Sequence, residues 1–447
     1  MIYIIDLWRN MIYNIVMYNI YYIKKGVSKM YKHHEYKMNY LISVNEQLEI
    51  PVTQIRKGQY SLIRFNSELH LQGVYSIAHI EGATLYYSKT NNFESFEWIS
   101  FEKAKEQIGD EKQRKLLNHF WEHFEEIVAD KSIIESYHFI IALQNGDVES
   151  LRKIAKSDLH NHIPFGGSRT IIKELTGYYV PSLEHKFKDI LEMNEWCDKN
   201  IKGKLNVANE FKTRVIAAYL QAQYDGIKVF APNFALCARK NFESYGDLLR
   251  FINLMNEIFS STMQIFPELC LDRNKYDVNN SAIINQLLQS GIFYSIDVTG
   301  DEKLGVDMFK DNYHMAKSLG IIRKAHIGEF ADSKFVEEAI HTLELNCLQH
   351  GLSIIQDSKL MQRVRDKKIS LTICPTSNLM LSRVNSYHQH PIRELFDSGI
   401  DVTICSDDIL IFDSSVSNEY LRLYKSKILT EFELNKIRIS GLNYYKK

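Results

Sequence analysis

The chain has 447 residues, 45% of them hydrophobic and 24% charged, and a formal net charge of −1. That length is ample for a buried core and about two domains, and the near-neutral balance excludes a general nucleic-acid or membrane-surface binder. The six cysteines show no Cys-x-x-Cys spacing, which argues for reduced thiols in the cytoplasm rather than a disulfide framework.

The first 23 residues are rich in Ile and Tyr, but Asp6, Arg9, Asn10, Asn14 and Asn19 interrupt them. A spanning helix needs about 20 mostly apolar residues, and a signal peptide needs a clean apolar centre. Neither is expected here, and Met11, Met17 and Met30 leave the start of translation open. Between about residues 40 and 100 the pattern is short and alternating, as in 60–65 and 83–88, which predicts a small β-rich unit. Leu116, Phe120, Phe124 and Ile127 then recur at helical spacing, and 138–156 repeats the theme. Residues 1–155 are therefore expected to form an N-terminal α+β extension, with a surface open to homo-oligomerisation.

From Ile154 onward, short strand candidates alternate with long helical segments, the pattern of βα units around a parallel sheet. The candidates are 155–160, 227–232, 269–272, 293–299, 322–326, 345–350, 369–374 and 402–406. Eight such units fit a (β/α)8 TIM barrel over 156–447, since about 250 residues is typical of that fold. His160 and His162 lie two apart on the first strand, so both imidazoles can reach one metal ion. His326 ends the fifth candidate, His350 the sixth, and Asp407-Asp408 follows the eighth. Catalytic groups of such barrels sit at the C-terminal strand ends, where these residues fall.

These residues resemble the adenosine deaminase branch of the metal-dependent amidohydrolases. The matching stretches, in the family's order, run from Leu159 to His162, Ile296 to Glu302, Ala325 to Glu329, Gln349 to Gly351, Cys374 to Asn378, His390 to Pro391 and Ser406 to Asp408. The resemblance covers roughly 155–440 and leaves the first 155 residues without a counterpart. It implies one Zn²⁺ per subunit, held by His160, His162, His326 and Asp407. It also implies hydrolytic deamination of an adenine-type purine nucleoside or 5′-nucleotide with release of ammonia. Zinc favours nitrogen and carboxylate ligands and lowers the pKa of bound water towards about 7. By the same resemblance Glu329 protonates ring N1, which requires a raised carboxyl pKa. His350 orients the attacking oxygen, Asp408 bonds the N7 side, and the N–H of Gly300 faces N3.

Departures from the family pattern bear on the substrate. Most members using free nucleosides carry an acidic residue where this chain has Pro164, so the exclusion of a 5′-phosphate by like charge is absent here. Gly166-Gly167-Ser168-Arg169 runs into a helical segment and is either a plain helix start or an anion site with Arg169 as its cation. Cys347 and Ile409 stand where the family usually has Arg and Pro, which leaves the geometry around the ligands open. Two other readings remain. The same barrel and metal serve hydrolysis of other amides, lactones or phosphoesters, and a silent barrel can act as a binding module.

Overall fold

The structure is a computed structural model that describes residues 60–65, 71–77 and 131–446. The chain divides into two units at Asn145/Gly146. In the first, β1 (Tyr60–Phe65) and β2 (Leu71–Ile77) form an antiparallel pair with a register shift between Arg64 and Phe65. A helix spans Lys131–Asn145. The leader, the alternating stretch 83–88 and the helical pattern 116–127 lie outside the described residues.

The second unit is a (β/α)8 barrel. Its strands are β3 (Lys156–His162), β4 (Ile227–Ala235), a two-residue β5 (Gln264–Ile265) beside β4, β6 (Glu268–Asp272), β7 (Ser295–Thr299), β8 (Ile322–Ile327), β9 (Cys347–His350), β10 (Ser370–Ile373) and β11 (Val402–Ile404). Hydrogen bonding runs in parallel from β3 through β4, β6, β7, β8, β9 and β10 to β11. The ring closes at one bridge, Asn161 to Asp407, where Asp407 N donates to His160 O (2.9 Å) and His162 N to Asp407 O (3.2 Å). All eight barrel strands expected from the sequence are present, with shifted ends.

β3 reads Lys-Ser-Asp-Leu-His-Asn-His, yet it is buried along almost its whole length. Buried polar groups require partners, and each charged one has them. The Lys156 ammonium donates to the carbonyls of Leu151 and Ile154 at 2.6 and 2.7 Å. The Asp158 carboxylate accepts from Ser406 N at 3.1 Å, from Ser406 Oγ at 2.5 Å and from Asn161 Nδ2 at 3.1 Å, so it seals the closing seam. Deeper in the barrel, Lys324 and Glu268 form a fully buried pair at 2.7 Å. Glu268 also accepts from Asn233 and Gln349, at 2.8 and 3.0 Å.

Each end of the barrel is closed by apolar packing. Segments leaving the C-terminal ends of β3, β8, β10 and β11 meet in one cluster that includes Ile172, Val180, Phe187, Leu381 and Leu410, with Phe330 packed against it. At the other end Tyr445 stacks on Phe266, ring centroids 3.8 Å apart. No helix among the described residues is long and apolar enough to cross a membrane.

Candidate active site

The strand ends bring together the side chains that the sequence singled out. His160 and His162 share a face of β3, His326 leaves β8, and Asp407 follows β11. The rings of His160 and His326 are 4.6 Å apart, and those of His162 and His326 5.1 Å. His162 Nε2 and His326 Nε2 face each other at 3.1 Å. Asp407 Oδ1 approaches His160 Nε2 at 3.4 Å and His162 Nδ1 at 3.6 Å. Asp407 and His350 hold backbone φ angles of +60° and +66°. Such values are uncommon in non-glycine residues and concentrate at functional sites.

The donor set fits a metal. Among the described residues, His160 Nε2 and Asp407 Oδ1 are buried without a hydrogen-bond partner. Burial lowers the His160 pKa to about 4 even against the nearby Asp407. Burial acts the same way on His162, but Asp408 and Asp407 override it and raise that pKa to about 10. A cation among these atoms would take the place of the His162 proton and give both orphaned atoms a partner. Three imidazoles and one carboxylate make a set suited to zinc. Cys374 lies 3.6 Å from His160 Nδ1, but burial pushes its thiol well above the ordinary range, which disfavours it as a ligand.

Two of these histidines, His326 and His160, are oriented from behind. His326 Nδ1 bonds Asp297 Oδ2 at 2.8 Å, and Asn233 Nδ2 donates to the same oxygen at 3.1 Å. His160 Nδ1 lies 3.3 Å from Thr372 Oγ1, whose hydroxyl donates onward to Gln349 Oε1. Through Gln349 this line reaches the buried Glu268–Lys324 pair.

Glu329 and His350 stand beside the cluster. His350 Nε2 is 4.0 Å from Asp407 Oδ2, and His350 Nδ1 is 3.5 Å from Glu329 Oε1. Burial raises the Glu329 pKa well above the carboxylate range, with added repulsion from Asp407 and Glu302. Glu302 accepts from four successive backbone N–H groups, those of Gly328, Glu329, Phe330 and Ala331, at 2.7, 3.2, 3.2 and 3.0 Å. This carboxylate shapes the loop that carries the acid. Asp408 Oδ1 lies 3.4 Å from His162 Nδ1 and is likewise buried without a hydrogen bond among the described residues.

Two other residues look different in three dimensions. Gly300 follows β7 at φ +95°, where a Cβ would lie 2.4 Å from Asn274 Oδ1, so local crowding alone requires glycine. Arg169 is buried, its Nε donating to Leu410 O at 3.2 Å and an Nη to Ile411 O at 2.6 Å, while Asp413 approaches at 3.6 Å. These contacts make it a clamp on the helix Ile409–Phe412 that follows Asp408, in place of the expected anion-binding cation. Gly166 and Gly167 have packing reasons as well, since a Cβ at either would meet Asn161 or Ala217. Asp297, Glu302, Thr372 and Asn378, whose Nδ2 donates to Glu329 Oε1 at 2.6 Å, also shape the site, although the sequence alone gave them no role. Three of them lie inside the family-like stretches, and that was their only signal.

The parallel barrel carries a three-histidine, one-aspartate cluster at its C-terminal mouth, the arrangement expected from the sequence. Residues 269–444 match the family model described as adenosine deaminase. A candidate adenosine/adenine deaminase of Treponema pallidum is 24% identical over 290 residues, 64% of this chain and 96% of that protein. An adenine deaminase of Psychrobacter cryohalolentis is 35% identical over 126 residues, 28% of this chain and 38% of that protein. The crystal structure of an adenine deaminase from Arthrobacter aurescens superposes with a TM-score of 0.55 at 21% identity, covering 65% of this chain and 93% of that one. The barrel unit is thus similar in sequence to adenosine and adenine deaminases and shares their fold.

Proposed function

We propose that the protein is a zinc-dependent deaminase converting an adenine-type purine to its hypoxanthine form. The observation that carries this reading is Glu329, a buried carboxyl whose pKa burial raises well above the carboxylate range, beside His350 and the histidine cluster. Ester or lactone hydrolysis has no evident use for a neutral carboxylic acid aimed at a ring nitrogen. An ion held by His160, His162, His326 and Asp407 would supply an acidified water at neutral pH. Glu329 gives its proton to N1 as the water oxygen bonds C6. One water proton restores Glu329, and the other leaves with the amino nitrogen as ammonia. His350 orients the attacking oxygen, Asp408, whose pKa burial raises, donates from its protonated carboxyl to N7, and the Gly300 N–H faces N3.

On the sugar side, Pro164 supports tolerance of a 5′-phosphate, whereas the carbonyl contacts of Arg169 withdraw support from a phosphate role for that residue. The free base is a second reading, favoured by the names of the relatives. Six free cysteines fit action in the cytoplasm. The test is zinc analysis with ultraviolet turnover assays on adenine, adenosine, deoxyadenosine, AMP and dAMP. Glu329→Gln should retain zinc and lose at least about 100-fold in kcat. Turnover of none of the five by zinc-loaded protein would reject the proposal.

A further inference from the structure

We propose that Asn378, held in orientation by His390, is the positioning residue that sets where the protons of both His350 and Glu329 reside. A backbone N–H can only donate. Ile392 N donates to His390 Nδ1 at 3.0 Å, so that nitrogen carries the lone pair and the His390 proton sits on Nε2. His390 Nε2 then donates to Asn378 Oδ1 at 3.2 Å. With its oxygen so engaged, the amide turns its nitrogen towards the site. Asn378 Nδ2 bonds Glu329 Oε1 at 2.6 Å and His350 Nδ1 at 3.1 Å. An amide nitrogen has two protons and no acceptor capacity, so both partners are acceptors.

Two consequences follow for the reacting groups. His350 carries its proton on Nε2, the nitrogen nearer Asp407 Oδ2. Glu329, when protonated, carries its proton on Oε2, because Oε1 receives the Asn378 bond. The chain Ile392–His390–Asn378 thus directs one donor at each reactant without itself touching substrate. His390 suits the task because burial lowers its pKa to about 3, so it stays neutral with a single proton at working pH. His390 and Asn378 are both buried, which shields the relay from competing water.

The chemical meaning of the relay rests on the deaminase reading, but the proton positions can be read without turnover. The experiment is ring ¹⁵N NMR of histidine-labelled, zinc-loaded protein, with the His350 signal assigned by its loss in His350→Gln. Wild type should show His350 protonated at Nε2. Asn378→Asp has nearly the same size but replaces the donor by an acceptor, so the His350 proton should move to Nδ1. In that variant kcat should fall at least about 100-fold with KM changed little and zinc retained. As a second pair, His390→Leu should lose about 10-fold or more in kcat, while His390→Gln, which restores a donor near Nε2, should recover most of it. A wild-type His350 protonated at Nδ1 would overturn the proposal, and so would an Asn378→Asp enzyme with unchanged tautomer or equal losses in the two His390 variants. If wild type deaminates none of the adenine-type substrates, the deaminase reading fails, and the ring spectra still decide the relay.

Discussion

Replacing Glu302 by Gln tests how the barrel holds its acid. The carboxylate accepts four backbone N–H bonds from the loop 328–331 at 2.7–3.2 Å, and it is 3% exposed. An amide keeps one accepting oxygen and turns an NH₂ group on the other two donors, so two bonds are lost and two N–H groups are left facing a donor. Hydrogen bonds to a charged group contribute about 1.5–3 kcal/mol each, so the loss is about 3–6 kcal/mol if the loop does not rearrange. In a barrel of this size that corresponds to a drop in Tm on the order of 10 °C. The second effect is electrostatic. Burial is the main cause of the raised Glu329 pKa, with Asp407 and Glu302 adding to it. In the proposed reaction Glu329 acts in its protonated form, so activity would be present below its pKa and lost as pH rises through it. Neutralising Glu302 lowers that pKa, and the alkaline limb of the kcat profile should begin at lower pH. A displacement of Glu329 by about 1 Å would further reduce kcat by about 100-fold. The assays are differential scanning calorimetry and kcat measured across pH 6–10 on the best substrate. An unchanged Tm together with an unmoved alkaline limb would refute the capping role.

Other perturbations separate the remaining parts of the site. His326→Ala or Asp407→Ala should strip most of the zinc while leaving the barrel folded, as far-ultraviolet circular dichroism and metal analysis can show. Arg169→Ala removes two carbonyl bonds behind Asp408 and should lower stability by about 2–4 kcal/mol in urea unfolding. It should also reduce turnover equally for phosphorylated and unphosphorylated substrates, and a loss confined to nucleotides would restore Arg169 to a phosphate site. The His390 pKa falls from an ordinary 6.5 to about 3 on folding because of burial. The unfolded chain therefore binds a proton that the native state refuses, and the stability present above pH 6.5 declines as pH falls towards 3. His390→Gln should lose about 2 kcal/mol less than wild type between pH 7 and pH 5, measured by denaturant titration.

Most of the barrel was legible because each strand is a short apolar run ending in a residue of different chemistry, as Ala325-His326 and Cys405-Ser406-Asp407 show. Period and position are local properties. β3 was legible for another reason, since its alternating polar residues keep His160 and His162 on one side even though the strand is not apolar. What stayed hidden was long-range pairing. Nothing in the run Gly166-Gly167-Ser168-Arg169 says that the guanidinium meets carbonyls some 240 positions later. Likewise, Glu302 reads as a surface acid until the loop bearing Glu329 folds over it. His390 and Asn378 stand twelve residues apart in sequence, but they become partners only once the helix Pro375–Met380 turns the amide inward.

The closing seam has a consequence for how the enzyme matures. Asn161 and Ser406 bond across it although they are 245 positions apart, and only one backbone bridge joins the first and last strands there. His160 and His162 lie on one side of that join, and Asp407 on the other. An ion held by all three, as proposed, would act as a hasp across the longest circuit of the domain, and it would bind an intact hoop rather than an opened one. Metal uptake and completion of the hoop are then linked equilibria, each strengthening the other. Nascent chains without zinc should breathe at this join first, and the amides of His162 and Asp407 should exchange faster than those of β7 and β8. Zinc supply would then govern not only whether the protein can react but how tightly its barrel stays shut.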